Sequence, residues 1–216
     1  MNIPRYDVFS NYREQIHTVI KETNFWNRAH TCQRLNTDDM DLITKMNVLN
    51  DHTLVIVDAP GRMYIYCLLQ LKTLAKTEFN KQRCITTTLV TDYGVVCSCV
   101  TGHVTLTKIL NVDQGYELLN FALFKHAMVV YSLTCFNNIL LSGSDDQSLK
   151  IYDLENFKLI KTIHFLFKVR CADINEKWMV VGGLDPTIVV FNKNYEQVFE
   201  LTESLISSVY LRLIDE

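Results

Sequence analysis

A frame of fifteen residues that recurs along the chain constrains the fold more than any other sequence feature. Its clearest copy runs from Leu140 to Leu154, where two short apolar stretches flank a polar turn. This arrangement is typical of a β-hairpin. The second stretch carries apolar or aromatic groups on both of its faces, as expected for a strand that lies between stacked sheets. The segment therefore predicts a buried hairpin.

Three further copies of the frame lie in register with the first, and they begin at Leu54, Val95 and Met179. The aromatic position of the frame is occupied in chain order by Tyr66, Thr107, Tyr152 and Phe191. Successive copies are therefore 41, 45 and 39 residues apart. A period of about 40 to 45 residues with four strands in each unit predicts a β-propeller.

Strand patterns also precede and follow each hairpin, which completes four strands per unit. The segments expected to form the innermost strands are 44–49, 85–89, 130–135 and 169–174, and 206–211 opens a further unit. We therefore expect an all-β fold, a propeller of four four-stranded blades plus a partial fifth, in an incomplete ring. The expected blades span 42–80, 84–124, 129–166, 168–202 and, in part, 204–216, after a helical N-terminal extension over 1–41.

The third copy resembles a WD repeat. The turn sequence SGSDD at 142–146 is followed by LKIYDL at 149–154, with Tyr152 in the place of the usual Trp. The segment 182–192 is a weaker copy. In the WD-repeat family a turn Asp pairs with a His that precedes the first strand of the blade. Asp146 and Asp185 match that Asp as structural turn residues. We find no His at the matching places, so the resemblance implies an incomplete hydrogen-bond network.

The number of units falls short of the usual seven blades, although propellers with four to eight blades exist. We expect either a truncated product of a longer protein or a ring completed by a partner. An open ring exposes apolar blade faces and unpaired strand edges, which favours self-association through the open edge.

The first 41 residues depart from the repeat. Apolar side chains at helical spacing are Tyr12, Ile16, Val19 and Ile20, and Asn11 and Glu14 are placed as in a capping box. This pattern predicts an amphipathic helix that packs against the propeller. The following segment, with Phe25 and Trp26, resembles the tail of an F-box ahead of a propeller. That resemblance implies docking to a Skp-type adaptor of a ubiquitin ligase, although the Leu-Pro opening and first helices of an F-box are absent.

Composition disfavours several other classes of function. Lys and Arg number 21 and Asp and Glu 24, and no basic stripe stands out, so neither nucleic acid nor membrane is an expected partner. The seven cysteines are scattered and no secretion signal precedes them, which favours reduced thiols in the cytoplasm or nucleus. The six histidines lack metal-ligand spacing and no glycine-rich phosphate loop occurs. We therefore expect no metal, no cofactor and no catalytic residues.

By its resemblance to the family, the chain is expected to bind partners at the top face, through the second residue of each innermost strand. These positions are Lys45, Thr86, Tyr131, Arg170 and Ser207. Tyr and Arg are frequent in binding hot spots, and the cations suggest an acidic or phosphorylated peptide. Tyr131 has the alternative of packing against the neighbouring blade. We further expect Arg170→Ala to weaken binding without lowering the melting temperature.

The sequence thus favours a non-catalytic protein–protein interaction scaffold. The alternative is the substrate-recognition subunit of an SCF-type (F-box) E3 ubiquitin ligase. A propeller enzyme is a third possibility, and it would require carboxylates or histidines that converge at the central channel.

Overall fold

The computed structural model of the chain describes residues 39–78, 84–112, 115–202 and Leu213. The predicted helix of the extension, Phe25 and Trp26 lie outside these residues, as do Ser207 and nearly all of the predicted fifth unit. The regular elements within the described ranges are β-strands. These ranges hold no helix of the length and apolarity that crossing a membrane requires.

The described strands form four sheets of four, which we number as blades in chain order. Blade 1 contains β1 (Ile43–Asn50), β2 (Thr53–Asp58), β3 (Arg62–Cys67) and β4 (Lys72–Glu78). Blade 2 contains β5 (Ile85–Thr91), β6 (Gly94–Cys99), β7 (His103–Val112) and β8 (Gly115–Lys125). Blade 3 contains β9 (Val130–Phe136), β10 (Ile139–Ser144), β11 (Ser148–Asp153) and β12 (Lys158–His164). Blade 4 contains β13 (Val169–Ile174), β14 (Trp178–Gly183), β15 (Thr187–Asn192) and β16 (Gln197–Thr202).

Each sheet is an antiparallel meander whose strands lie in chain order, so that the first strand is innermost and the fourth is outermost. The second strand of each blade is largely buried on both faces, and so are β3 and β11. β7 and β15 are only partly buried. The residues of the outermost strands are exposed or half-buried. The predicted all-β architecture of four-stranded antiparallel blades is confirmed.

Apolar clusters between successive blades hold the sheets together. Blades 1 and 2 meet through Val55, Val57, Val95 and Cys97, among others. Blades 2 and 3 meet through Leu106, Leu140, Tyr152 and their neighbours. Blades 3 and 4 meet through Leu141, Ile151, Met179 and Phe191. Among the described strands the packing runs from blade 1 to blade 4 in order, so these four blades do not close a ring.

Candidate partner-binding site

A β-bulge near the start of each innermost strand positions one side chain per blade. In blade 3, Ser144 pairs with Val130 and Gly143 pairs with Ser132, so Tyr131 is the extra residue. The corresponding extra residues of the other blades are Thr44, Thr86 and Arg170. Because a bulge re-aims the side chain that it carries, these four residues occupy equivalent places at one end of the blades. We call this set the bulge face.

The bulge face corrects one position chosen from the sequence. Lys45 is the second residue of the expected innermost strand 44–49, but β1 begins at Ile43 and its bulged residue is Thr44. Lys45 is exposed and pairs with Val57, whereas the Thr44 hydroxyl donates a hydrogen bond to the Val57 carbonyl at 3.2 Å. The innermost strand of blade 1 is thus displaced by one residue relative to its own hairpin, which the hairpin pattern alone does not reveal.

Tyr131 and Arg170 form a stacked pair across blades 3 and 4. The guanidinium carbon of Arg170 lies 3.7 Å from the centroid of the Tyr131 ring. Its Nη2 donates a hydrogen bond to Asp145 Oδ2 at 2.9 Å. Its Nε lies 2.7 Å from Asp145 Oδ1, in an ion pair too bent to be a hydrogen bond. Tyr131 is still 41% exposed. The ring therefore contacts the neighbouring blade and keeps part of its surface exposed to solvent. Its role in binding a partner stays a prediction.

Asp145 joins two cations at this place. Its carboxylate is only 8% exposed, and Lys168 Nζ lies 3.8 Å from its Oδ2. Two cations against one carboxylate leave positive charge at the surface, since the Lys168 side chain is 44% exposed. Sequence reasoning interpreted Asp145 only as a turn residue. Its partner Arg170 belongs to the next blade, and the linear pattern gave no signal for a pair of this kind.

These contacts also change the expectation for Arg170. Removal of the guanidinium would leave the nearly buried Asp145 carboxylate without its main partner, which is strongly destabilising. The sequence-based expectation that Arg170→Ala leaves the melting temperature unchanged therefore does not fit the structure. Thr86 is half-buried and its hydroxyl lies 3.0 Å from the Ser98 hydroxyl, so its polar group already has a partner.

A buried histidine occupies the position that the sequence analysis described as lacking one. His126 Nδ1 lies 3.0 Å from both Asp146 Oδ2 and the Ser148 hydroxyl, and its Nε2 lies 3.1 Å from the Ser142 hydroxyl. The expectation of a missing His was wrong for blade 3. His126 precedes Val130 by four residues, and this spacing was the signal available in the sequence.

Burial lowers the pKa of His126 below its ordinary value, against the opposing influence of the Asp146 carboxylate. Burial acts to raise the pKa of Asp146, but hydrogen bonds from the Ser148 hydroxyl and the Ala127 N–H, together with His126, outweigh it and the pKa lies below its ordinary value. A neutral imidazole is therefore held beside an ionised carboxylate at neutral pH. This arrangement serves to fix the β10–β11 turn to the segment that enters blade 3.

Blade 4 fills the same position with an aromatic ring. The Phe165 N–H donates to the Gln147 carbonyl at 2.9 Å, just as the His126 N–H donates to the Gly102 carbonyl at 2.9 Å. The matched backbone bonds make Phe165 the equivalent of His126. Asp185, the turn residue named from the sequence, is exposed and has no equivalent of His126 in its blade.

Blade 1 contains a polar cluster that the sequence analysis missed. Asp58 is fully buried and accepts hydrogen bonds from the Arg62 N–H at 2.9 Å, from Arg62 Nε at 2.7 Å and from the Tyr64 hydroxyl at 2.9 Å. Burial, together with the Asp58 carboxylate, raises the pKa of Tyr64 to about 12. These groups satisfy one another, so the cluster stabilises the β2–β3 turn.

A cavity of about 400 Å³ lies at the opposite end of the blades from the bulge face, between blades 1 and 2. Its described lining includes two charged residues, Asp92 and Lys108, and no histidine. No group of three or more His, Cys, Asp or Glu residues suited to a metal occurs within the described part of the chain. The cavity does not show the converging carboxylates or histidines that the enzyme interpretation requires.

Comparisons with known proteins bear on the fold alone. No known family profile matches the chain, and no curated protein matches it. The computationally designed Ika8 propeller superposes with a TM-score of 0.68 at 18% identity, over 80% of this chain and 53% of that one. A chain of the Mitotic Checkpoint Complex gives 0.62 at 14% identity, over 74% and 50%. The designed Ika4 propeller gives 0.59 at 20% identity, over 75% and 99%.

The chain thus spans about half the length of the first two of these structures and nearly all of the third. Identities of this size carry information about architecture and none about a shared partner or activity. Together with the four meandering sheets, the likeness to designed propellers shows that the chain has a propeller-like fold.

Proposed function

We propose that this chain is a non-catalytic protein-binding scaffold of the WD-repeat type, which binds its partner at the bulge face. The observation that carries the proposal is the Tyr131–Arg170 stack, which is held in place by Asp145. A stacked and ion-paired guanidinium loses little conformational freedom when a partner binds, which favours affinity. Tyr and Arg are also the side chains most often found at the centre of binding hot spots.

The partner is an acidic or phosphorylated peptide segment. Arg170 and Lys168 supply two positive charges where Asp145 supplies one negative charge, so the local excess is positive. A guanidinium has five N–H donors, which is more than one carboxylate can accept. Hydrogen bonds between charged groups of this kind are stronger than those between neutral groups, and they suit carboxylate and phosphate.

The experiment measures binding of the purified full chain to two synthetic peptide sets, one with Glu or phosphoserine at its centre and one with Ala at the same position. Fluorescence polarisation should select the acidic set. Lys168→Glu should weaken that binding by roughly tenfold or more, because it reverses the charge at this position. Tyr131→Ala should also weaken it, because contact area is lost. Both side chains are substantially exposed, so these variants test binding better than Arg170→Ala does.

Lys193→Glu provides the matched control, because it reverses an exposed Lys in the β15–β16 turn, away from the bulge face. It should bind the acidic peptides as the unmodified chain does. Equal binding of the acidic and Ala peptides, or equal losses in Lys168→Glu and Lys193→Glu, would contradict the proposal.

The role in a ubiquitin ligase stays a prediction, since Phe25 and Trp26 lie outside the described residues. It requires that a Skp-type adaptor co-purify with the chain, and that Phe25→Ala or Trp26→Ala remove the adaptor. The cytoplasmic or nuclear location likewise stays a prediction.

A further inference from the structure

The outermost strand of blade 2 differs from the other outermost strands in length and in charge. β8 has eleven residues, whereas β4 and β12 have seven and β16 has six. Its charged residues are Glu117 and Lys125, and seven uncharged residues lie between them. β4 and β12 carry Lys76 and Lys161 in their interiors. Interior charges of that kind are the usual protection of a strand edge against pairing with another chain.

β8 is also the most regular of the four edges. In the other blades a register shift interrupts the pairing of the third and fourth strands after four residue pairs. In blade 2 the shift lies between Val104 and Thr105, close to one end of the hairpin. Eight successive pairs follow, from Thr105 with Ala122 to Val112 with Gly115. A bulge twists an edge away from incoming strands, so β8 keeps a longer straight edge than its counterparts.

Apolar side chains flank this edge. Phe121 is 38% exposed and its ring centroid lies 6.2 Å from that of Phe157 in blade 3. Lys108 Nζ lies over both rings, at 5.7 Å and 5.3 Å from their centroids. Leu119 is also partly exposed beside them. An added strand at β8 would therefore gain apolar contacts as well as backbone hydrogen bonds.

We propose that two copies of this chain pair antiparallel through β8, about a twofold axis at Phe121. The charge pattern of the strand indicates that its partner is the same strand of a second copy. Glu117 and Lys125 each lie four residues from Phe121, on opposite sides. A twofold axis at Phe121 therefore brings Glu117 of each copy beside Lys125 of the other, and the bulge at Leu123 displaces this match by at most one position. The uncharged residues between them then lie opposite each other, and no two like charges are paired across the twofold axis.

The dimer is a weak one. Stable interfaces bury on the order of 1,200–2,000 Å² in total, and two paired strands with a few flanking side chains give an area at or below that range. The pairing is therefore concentration-dependent. It does not involve the bulge face, so loss of peptide binding and loss of the dimer are separate outcomes.

Sedimentation velocity of the purified full chain, over a wide range of protein concentration, tests the proposal. The unmodified chain should shift from monomer to dimer as its concentration rises. Phe121→Lys places two like charges at the twofold axis and should keep the chain monomeric at every concentration. Leu201→Lys makes the same change at an exposed apolar residue of β16 and should leave the dimer intact. Circular dichroism of both variants confirms that they are folded.

A charge exchange tests the orientation of the strands. Glu117→Lys and Lys125→Glu should each raise the dissociation constant by roughly tenfold, a typical effect of unfavourable charges across an interface, and the double variant should restore it. A chain that stays monomeric, a dimer that survives Phe121→Lys, or a double variant as weak as the single ones would overturn the proposal. A dimer lost in Leu201→Lys instead would assign the association to blade 4.

Discussion

Blades 3 and 4 differ in the side chains that fill one equivalent position, which are polar in blade 3 and aromatic in blade 4. Each must fix the segment that enters the blade against the turn between its second and third strands. Blade 3 does so with the buried polar set of His126, Ser142, Asp146 and Ser148. Blade 4 places Phe165 at the equivalent position, with ring centroids 5.0 Å from Phe167 and 6.1 Å from Phe191. The backbone hydrogen bond at this point has the same length in both blades.

Stability of the blade therefore requires that this position be filled, and either a polar or an aromatic side chain can fill it. A buried polar set is stable only when each member has its partners, whereas an aromatic cluster depends on shape and buried area. The two blades should therefore respond differently to substitution and to pH.

The largest effect is expected for Phe191→Ala in blade 4. Phe191 is 4% exposed, and truncation of a buried Phe costs about 3–5 kcal/mol in the free energy of unfolding. Urea unfolding measures the loss. Phe191→Leu is the matched control and should cost much less, because it retains most of the volume. A loss below about 1 kcal/mol for the Ala variant, less than a single unmade buried hydrogen bond, would contradict aromatic packing as the source of stability.

An exchange of the two solutions should give a smaller but clear loss. His126→Phe removes the ring nitrogens that contact Ser142, Asp146 and Ser148, and each buried group left unsatisfied costs about 1–3 kcal/mol. Phe165→His places a polar ring among Phe167, Phe191 and their apolar neighbours, which costs about 1–3 kcal/mol unless a new hydrogen bond forms. The free energy of unfolding of each variant checks both values. A neutral outcome for either exchange would show that the position tolerates both chemistries.

The smallest effect concerns pH. The folded-state pKa of His126 is lowered, so on acidification the unfolded chain takes up its proton first. The stability that this group contributes is therefore complete above the ordinary His pKa of about 6.5 and falls as the pH drops below it. Urea unfolding at about pH 7.5 and about pH 5.5 should show a loss in the unmodified chain of up to about 1.4 kcal/mol per pH unit. His126→Gln should lose less over the same interval, and equal losses would contradict the assignment.

The sequence predicts the architecture well because each repeat unit is recognisable from residues that lie close together in the chain. Each hairpin has its apolar stretches and its turn, and the recurrence of the frame with Tyr152 and Phe191 places them in successive blades. The contacts between blades are harder to predict. The pairing of Arg170 with Asp145 joins residues 25 positions apart, and no local pattern links the two. His126 was missed because it lies outside the fifteen-residue frame, in the connection between β8 and β9.

The bulges of the innermost strands also bear on how such a chain tolerates changes in length. Side chains alternate along a strand, so insertion or loss of a single residue turns every following side chain to the other face. A bulge absorbs one residue and restores the alternation beyond it. The one-residue displacement of Thr44 in blade 1 shows this in practice, since β1 pairs with β2 in regular register from Lys45 to Val48 beyond it. A fold with one such joint in each blade can accept single-residue insertions and deletions at the entrance to a blade, and its repeats can drift in spacing while their cores stay in phase.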